Sequence, residues 1–105
     1  MSARPHKYGA VRTELDGIKF ASRREALRWA ELKLMERAGL IKTLERQVPF
    51  DLEVNGVHIC RYVADFTYFY GGKTIVADAK GFRTPEYRLK AKLMKAIHNI
   101  EILET

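Results

Sequence analysis

The spacing of apolar residues changes along this chain, and each change marks an element. Residues 12–15 and 18–20 are short alternating runs around Asp16-Gly17, a pair suited to the positive φ of a tight type I′ turn, so a small hairpin is predicted there. From Ser22 to Ala38 the period becomes helical. Leu27, Ala30, Leu34 and Ala38 make one stripe; Glu25, Trp29, Leu32 and Glu36 make a second. Ser22 is a suitable N-cap, and Gly39 stands where a C′ glycine is wanted. A helix apolar on more than one side is expected to be substantially buried.

Residues 44–70 read as two strands around Asn55-Gly56. Counting outward from that pair sets Val54 against Val57, Leu52 against Ile59, Phe50 against Arg61, Val48 against Val63 and Arg46 against Asp65. One face then carries Val48, Phe50, Leu52, Val54, Val57, Ile59 and Val63, a predicted core for the first helix. The other carries Gln47, Asp51, Glu53, His58, Cys60, Tyr62, Phe66 and Tyr68. Gly71-Gly72 turns the chain into a third strand over residues 73–80. Val76, Asp78 and Lys80 share its core face; Ile75, Ala77 and Ala79 take the other. Apolar residues on both faces ask for helices on both sides. Thr84-Pro85 opens a second helix running to about Ile97, with Leu89, Leu93 and Ala96 as its apolar stripe. Residues 100–104 form a last short strand on the sheet edge or beside the third strand. The order hairpin, helix, meander, helix, strand predicts an α/β architecture of the α+β type. Its mostly antiparallel mixed sheet has about four strands flanked by helices.

A chain of 105 residues supports one core, so residues 11–105 are expected to form a single domain. Residues 1–10 carry Arg4, His6 and Lys7 and are expected to be a flexible basic arm able to contact phosphate. The net charge of +6 favours a polyanionic partner, most simply nucleic acid. Arg88, Lys92 and Lys95, with Lys90 nearby and Arg83 just ahead, make the second helix a candidate nucleic-acid contact; its plainer meaning is a solvated helix face. No apolar run nears the ~20 residues needed to span a bilayer, and the N-terminus lacks a secretory h-region. A cytoplasmic protein with no membrane partner and no small-molecule cofactor is expected. The lone Cys60 reads as a core thiol in a reducing compartment.

The chemistry concentrates between Arg61 and Gly81. Counting from Gly71-Gly72 sets Asp65 directly opposite Asp78, with Lys80 on the same face. Like charges in paired positions destabilise a sheet. Such a pair raises one pKa, stays in water, or holds a cation between its members. With a cation, Asp65 and Asp78 supply carboxylates, the carbonyl of Ala79 a further oxygen, and Lys80 a group that orients or deprotonates water or stabilises a charged phosphorane. That is the equipment for phosphodiester hydrolysis. Glu25 has two readings. It closes a capping box with Ser22, or it heads the row of Trp29 and Leu32 toward the end of the sheet.

Asp65, twelve residues, then Asp78-Ala79-Lys80 resembles the signature of the PD-(D/E)xK nucleases, which share the restriction-endonuclease-like fold. KFASRREALRW, LERQVPF, YVADFTYF and DAKGFRTPEYRLK further resemble a family of small phage-encoded proteins, itself similar to phage endonucleases that resolve branched DNA. The resemblance implies a metal-dependent DNA endonuclease using Mg2+, with Mn2+ able to substitute. It matches Asp65, Asp78 and Lys80 to the motif positions and Glu25 to a first-helix acid that serves catalysis and the metal. Gln47 or Glu45 would belong to an outer site. Ala64 stands where the signature has proline. So small a chain leaves little room for sequence-specific recognition, so selectivity for DNA structure, such as a Holliday junction, is implied. A homodimer would cut two strands, and the compartment would be the host cytoplasm. The alternatives are a non-catalytic nucleic-acid-binding module, with Tyr62, Phe66 and Tyr68 stacking bases or, more simply, packed under a helix, and a degenerate nuclease scaffold.

Overall fold

The computed structural model describes residues 12–105. The expected arm, with Arg4 and Lys7, lies outside the described residues. The elements follow the predicted order: β1 (Thr13–Leu15), β2 (Ile18–Phe20), α1 (Arg23–Arg37), β3 (Lys42–Val54), β4 (Val57–Tyr70), β5 (Lys73–Asp78), α2 (Pro85–His98) and β6 (Leu103–Glu104). The strands β1 and β2 pair through the Asp16-Gly17 turn, whose residues both have positive φ. The main sheet has the order β3-β4-β5-β6, antiparallel except for the parallel β5–β6 pair. This is the expected mixed α+β fold. Among the described residues no helix is long and apolar enough to cross a membrane.

Helix α1 lies on one face of the sheet and α2 on the other. Ala26, Trp29 and Leu32 of α1 cluster with Phe20, Ile41, Phe66, Tyr68 and Ala77. Trp29 stacks on Phe66, with ring centroids 6.0 Å apart. Tyr87 and Met94 of α2 cluster with Leu52, Tyr62, Ala64 and Val76; half-buried Phe50 and Cys60 pack alongside.

Three expectations are corrected. First, the stripe of α1 that meets the sheet is the second one. Leu27 and Leu34 are exposed, because the row of Glu25, Trp29 and Leu32 carries the larger surface. In α2, likewise, Leu89 and Ala96 face solvent and Tyr87 and Met94 are buried. Second, the β3–β4 ladder slips by one residue. Glu53 pairs with His58 but Leu52 with Cys60, so Ile59 is an extra residue in a bulge. Phe50 therefore faces Tyr62, Val48 faces Ala64, and Arg46 faces Phe66 rather than Asp65. The predicted core row is split. Phe50 and Leu52 pack with α2, while Val54, Val57, Ile59 and Val63 are exposed.

Third, the strands change facing midway. Side chains of one parity share a face in a regular strand. Here Tyr62 and Ala64 pack with α2, yet Phe66 and Tyr68 pack with α1. In β3, Phe50 and Leu52 side with α2 and Leu44 with α1. The reversal is centred on Asp65 and Gln47, and Gln47 has φ 55°, uncommon for a non-glycine residue. The predicted hairpin of Asn55-Gly56 and the turn at Gly71-Gly72 form as expected. The third strand ends at Asp78, two residues early.

Phe66 is wholly buried against Trp29, so Phe66→Ala is expected to cost about 3–5 kcal/mol. Exposed Leu27→Ala should stay within about 0.5 kcal/mol. Urea denaturation measures both; a larger cost at Leu27 would put the other stripe of α1 against the sheet.

Candidate active site

The glycine turn fixes the site. From Tyr70↔Lys73 the β4–β5 register runs unbroken to Phe66↔Ala77, and Asp65 and Asp78 come next. There the carboxylates take over from the ladder. The Asp65 N–H donates to Oδ1 of Asp78 at 3.1 Å, and the Ala79 N–H donates to Oδ2 of Asp65 at 2.9 Å. Each acid thus accepts a backbone hydrogen bond from the other strand's segment. This clasp sits where the strands reverse facing.

Asp78 is buried to 1% exposure, an unusual place for a carboxylate. Its Oδ2 accepts the hydroxyl of Tyr62, and Lys80 Nζ lies 3.8 Å from the same oxygen. Its backbone carbonyl accepts the Thr105 N–H at 2.9 Å, tying the motif to the last residues described. Lys80 also lies 4.2 Å from the centre of the Tyr87 ring, and Tyr87 donates its hydroxyl to Glu104 at 2.8 Å. The ammonium is therefore held between a carboxylate and an aromatic face, each of which attracts a cation. An open cleft of about 250 Å³ above it is lined by Arg61, Tyr62, Lys80, Thr84, Tyr87 and Lys90, among others.

Glu25 reaches this end of the sheet from α1. Half of the capping box forms, since Ser22 Oγ accepts the Glu25 N–H at 3.1 Å. The carboxylate turns inward instead of back to Ser22. Its Oε2 accepts Gln47 Nε2 at 3.2 Å and lies 3.6 Å from an Arg46 nitrogen. Arg46 in turn lies over Phe20, 4.7 Å from the ring centre. Both Gln47 and Glu45 are exposed, but Gln47 is tied to Glu25 by that hydrogen bond.

Electrostatics follow from this crowding. Burial first, and then the neighbouring Asp78 carboxylate and the charge of Glu25, raise Asp65 well above the ordinary carboxylate range. Burial raises Glu25 as well; Arg46 opposes the shift and Asp78 adds to it. Burial and the hydrogen bond to Asp78 push the Tyr62 hydroxyl up, so it stays protonated as a donor. Tyr87 is raised by burial and by Glu104.

The donor set is one of hard oxygens around an anionic centre, which suits Mg2+ or Mn2+. Among the described residues no three His, Cys, Asp or Glu side chains form a ready metal cage. Magnesium commonly takes one or two carboxylates and completes its shell with water and substrate phosphate. Asp65 and Asp78 meet that requirement, with Ala79, tied to Asp65 through its N–H, offering a carbonyl. Glu25, occupied by Gln47 and Arg46, is an outer acid.

The expected cations of α2 are largely spoken for. Arg83 Nε donates to Glu104 at 2.8 Å, Lys90 pairs with Glu86 at 3.0 Å and Lys95 with Glu101 at 3.4 Å. Arg88 and Lys92 remain exposed. Tyr62 and Tyr87 were not legible as site residues. The regular alternation of β4 puts Tyr62 on the face away from Asp65 and Asp78, and only the reversal at Asp65 returns it.

A raised Asp65 means that the folded protein holds a proton the unfolded chain has already released. Stability should therefore be greatest near the ordinary carboxylate range and decline as pH rises toward the raised value. Without divalent metal, stability is expected to fall between about pH 4 and about pH 8, the value to which Asp65 is raised, with a slope of up to one proton, roughly 1.4 kcal/mol per pH unit, and the melting temperature with it. Asp65→Asn should flatten that slope in thermal melts; an equally steep slope in the variant would contradict the assignment.

Residues 5–102 match the model of a family described as "Protein of unknown function (DUF1064)". No curated protein gives a significant match. With nearly the whole sequence spanned by that model, the chain belongs to the DUF1064 family.

Proposed function

We propose that this protein is a metal-dependent DNA endonuclease of the PD-(D/E)xK type, hydrolysing phosphodiester bonds with selectivity for branched DNA. The observation that carries the reading is the convergence of Asp65, Asp78 and Lys80 at one sheet end, with Lys80 Nζ 3.8 Å from a buried Asp78. A sheet gains nothing from two apposed acids unless something answers their charge.

Asp65 and Asp78 would hold the divalent ion, and Tyr62 fixes the rotamer of Asp78 from the α2 side. When bound there, the ion would supply Lewis acidity to a phosphate group. Lys80, positioned by Asp78 and the Tyr87 face, donates to the phosphoryl oxygens where charge develops in the transition state. Glu25, its carboxylate steered by Gln47 and Arg46, would add negative charge at the α1 side of the site and orient water there. The cleft beside Lys80 is open, which suits a polymer threading past the site better than an enclosed small substrate. Arg88 and Lys92 lie exposed on α2, available to the nucleic-acid backbone.

The test is a cleavage assay on labelled linear, flapped and four-way DNA, with and without Mg2+ or Mn2+. The wild type is expected to cut branched DNA only with metal. Asp78→Asn and Lys80→Ala should each lose about 10²–10⁴-fold in rate while still binding DNA. Binding without cutting by any of the proteins would instead support a non-catalytic module on the same fold.

A further inference from the structure

A second, strongly basic cleft lies on α1, lined by residues of that helix and Thr105. About 440 Å³ in volume, it is lined by Arg23, Arg24, Leu27, Arg28, Glu31 and Thr105. We propose that this cleft grips the phosphate backbone of DNA flanking the cut, with Arg23, Arg24 and Arg28 as its phosphate contacts. The identity of the polyanion rests on the nuclease reading above.

The arginines have no stabilising reason to be where they are. Arg23 and Arg24 occupy the first turn of α1, where the helix dipole disfavours cations. The acid of that turn, Glu25, is buried and turned inward to Gln47 and Arg46. Among the described residues neither Arg23 nor Arg24 has an Asp or Glu side-chain partner; Arg24 Nη1 lies 3.5 Å from a main-chain oxygen of Thr105. Arg28 touches Glu31 at 3.7 Å, and its Nε is buried with no hydrogen-bond partner. Three guanidinium groups thus share one cleft with a single side-chain carboxylate, that of Glu31, which is itself exposed. The fork geometry of guanidinium suits phosphate oxygens.

The position also fits. A Cβ placed on Gly81 would lie 3.7 Å from Arg24 Nε, so the cleft borders the loop that directly follows Lys80. Leu27, exposed in its wall, is explained as apolar contact with a sugar edge rather than as core. By comparison, Arg83 ahead of α2 and Lys90 and Lys95 on it are already answered by acids. A strand leaving Lys80 across Gly81 therefore meets unanswered positive charge on α1.

Anisotropy of labelled four-way and linear DNA, read in metal-free buffer across a salt series, tests this without cleavage. Each phosphate contact contributes about 0.9 to the slope of log affinity against log salt on duplex DNA. Arg23→Ala/Arg24→Ala/Arg28→Ala is expected to lower that slope by about 2–3 and affinity by at least about tenfold. Because Arg28 is half-buried, the double variant Arg23→Ala/Arg24→Ala, exposed at both positions, guards against misfolding and should lower the slope by about 2. An unchanged slope in the double variant, or wild-type protein that binds no DNA, overturns the clamp. A flattened slope in the variants of a wild type that does not cut with Mg2+ supports the clamp and overturns the nuclease reading. Cutting by a double variant whose slope is unchanged overturns the clamp alone.

Discussion

Two carboxylates held side by side with incomplete neutralisation are the constraint around which this fold is arranged. Asp78 is almost wholly buried, and Asp65 crosses its hydrogen bonds with it through backbone N–H groups. Like charges so placed repel, and burial strengthens the repulsion by removing water. The surrounding groups temper that repulsion. Tyr62 donates to Asp78, Lys80 stands beside it, and the Ala79 N–H serves Asp65. Residual strain is met by protonation, as the upward shift of Asp65 records, or by a cation.

Both faces of the sheet contribute to this point because β3 and β4 change facing there. Tyr62 arrives from the α2 side and Glu25 from the α1 side, and neither would meet the acids on a regular ladder. The unusual backbone of Gln47 sits at the same place, with its side chain on Glu25. Sparsely populated backbone conformations cost of order 1–3 kcal/mol and gather at functional sites. Here one of them accompanies the crossover that assembles the site.

The legible parts of the structure were those set by local chemistry. Asp16-Gly17, Asn55-Gly56 and Gly71-Gly72 each encode a turn, and Ser22 and Thr84 each encode a helix start. The short count from Gly71-Gly72 to Asp65 and Asp78 crosses no irregularity, so the apposition of the two acids could be read directly. The count from Asn55-Gly56 fails, because the bulge at Ile59 leaves no local mark. Helix faces were illegible for a related reason. Leu27 and Trp29 both fit helical periods, and only the shape of the sheet below chooses Trp29. The acids that answer Arg83 and Lys95 come from the chain beyond α2, whose side-chain pairings periodicity does not specify.

The central question for this protein is whether the Asp65–Asp78 pair is a cation site. Manganese titrated into DNA-free protein, with the free ion followed by its paramagnetic resonance signal, reads this without any assumption about substrate. Wild-type protein is expected to take up Mn2+, with Mg2+ competing, and Asp65→Asn and Asp78→Asn should each lose that uptake while remaining folded. Uptake by the wild type no greater than by the folded Asp78→Asn variant would contradict the assignment of these two acids.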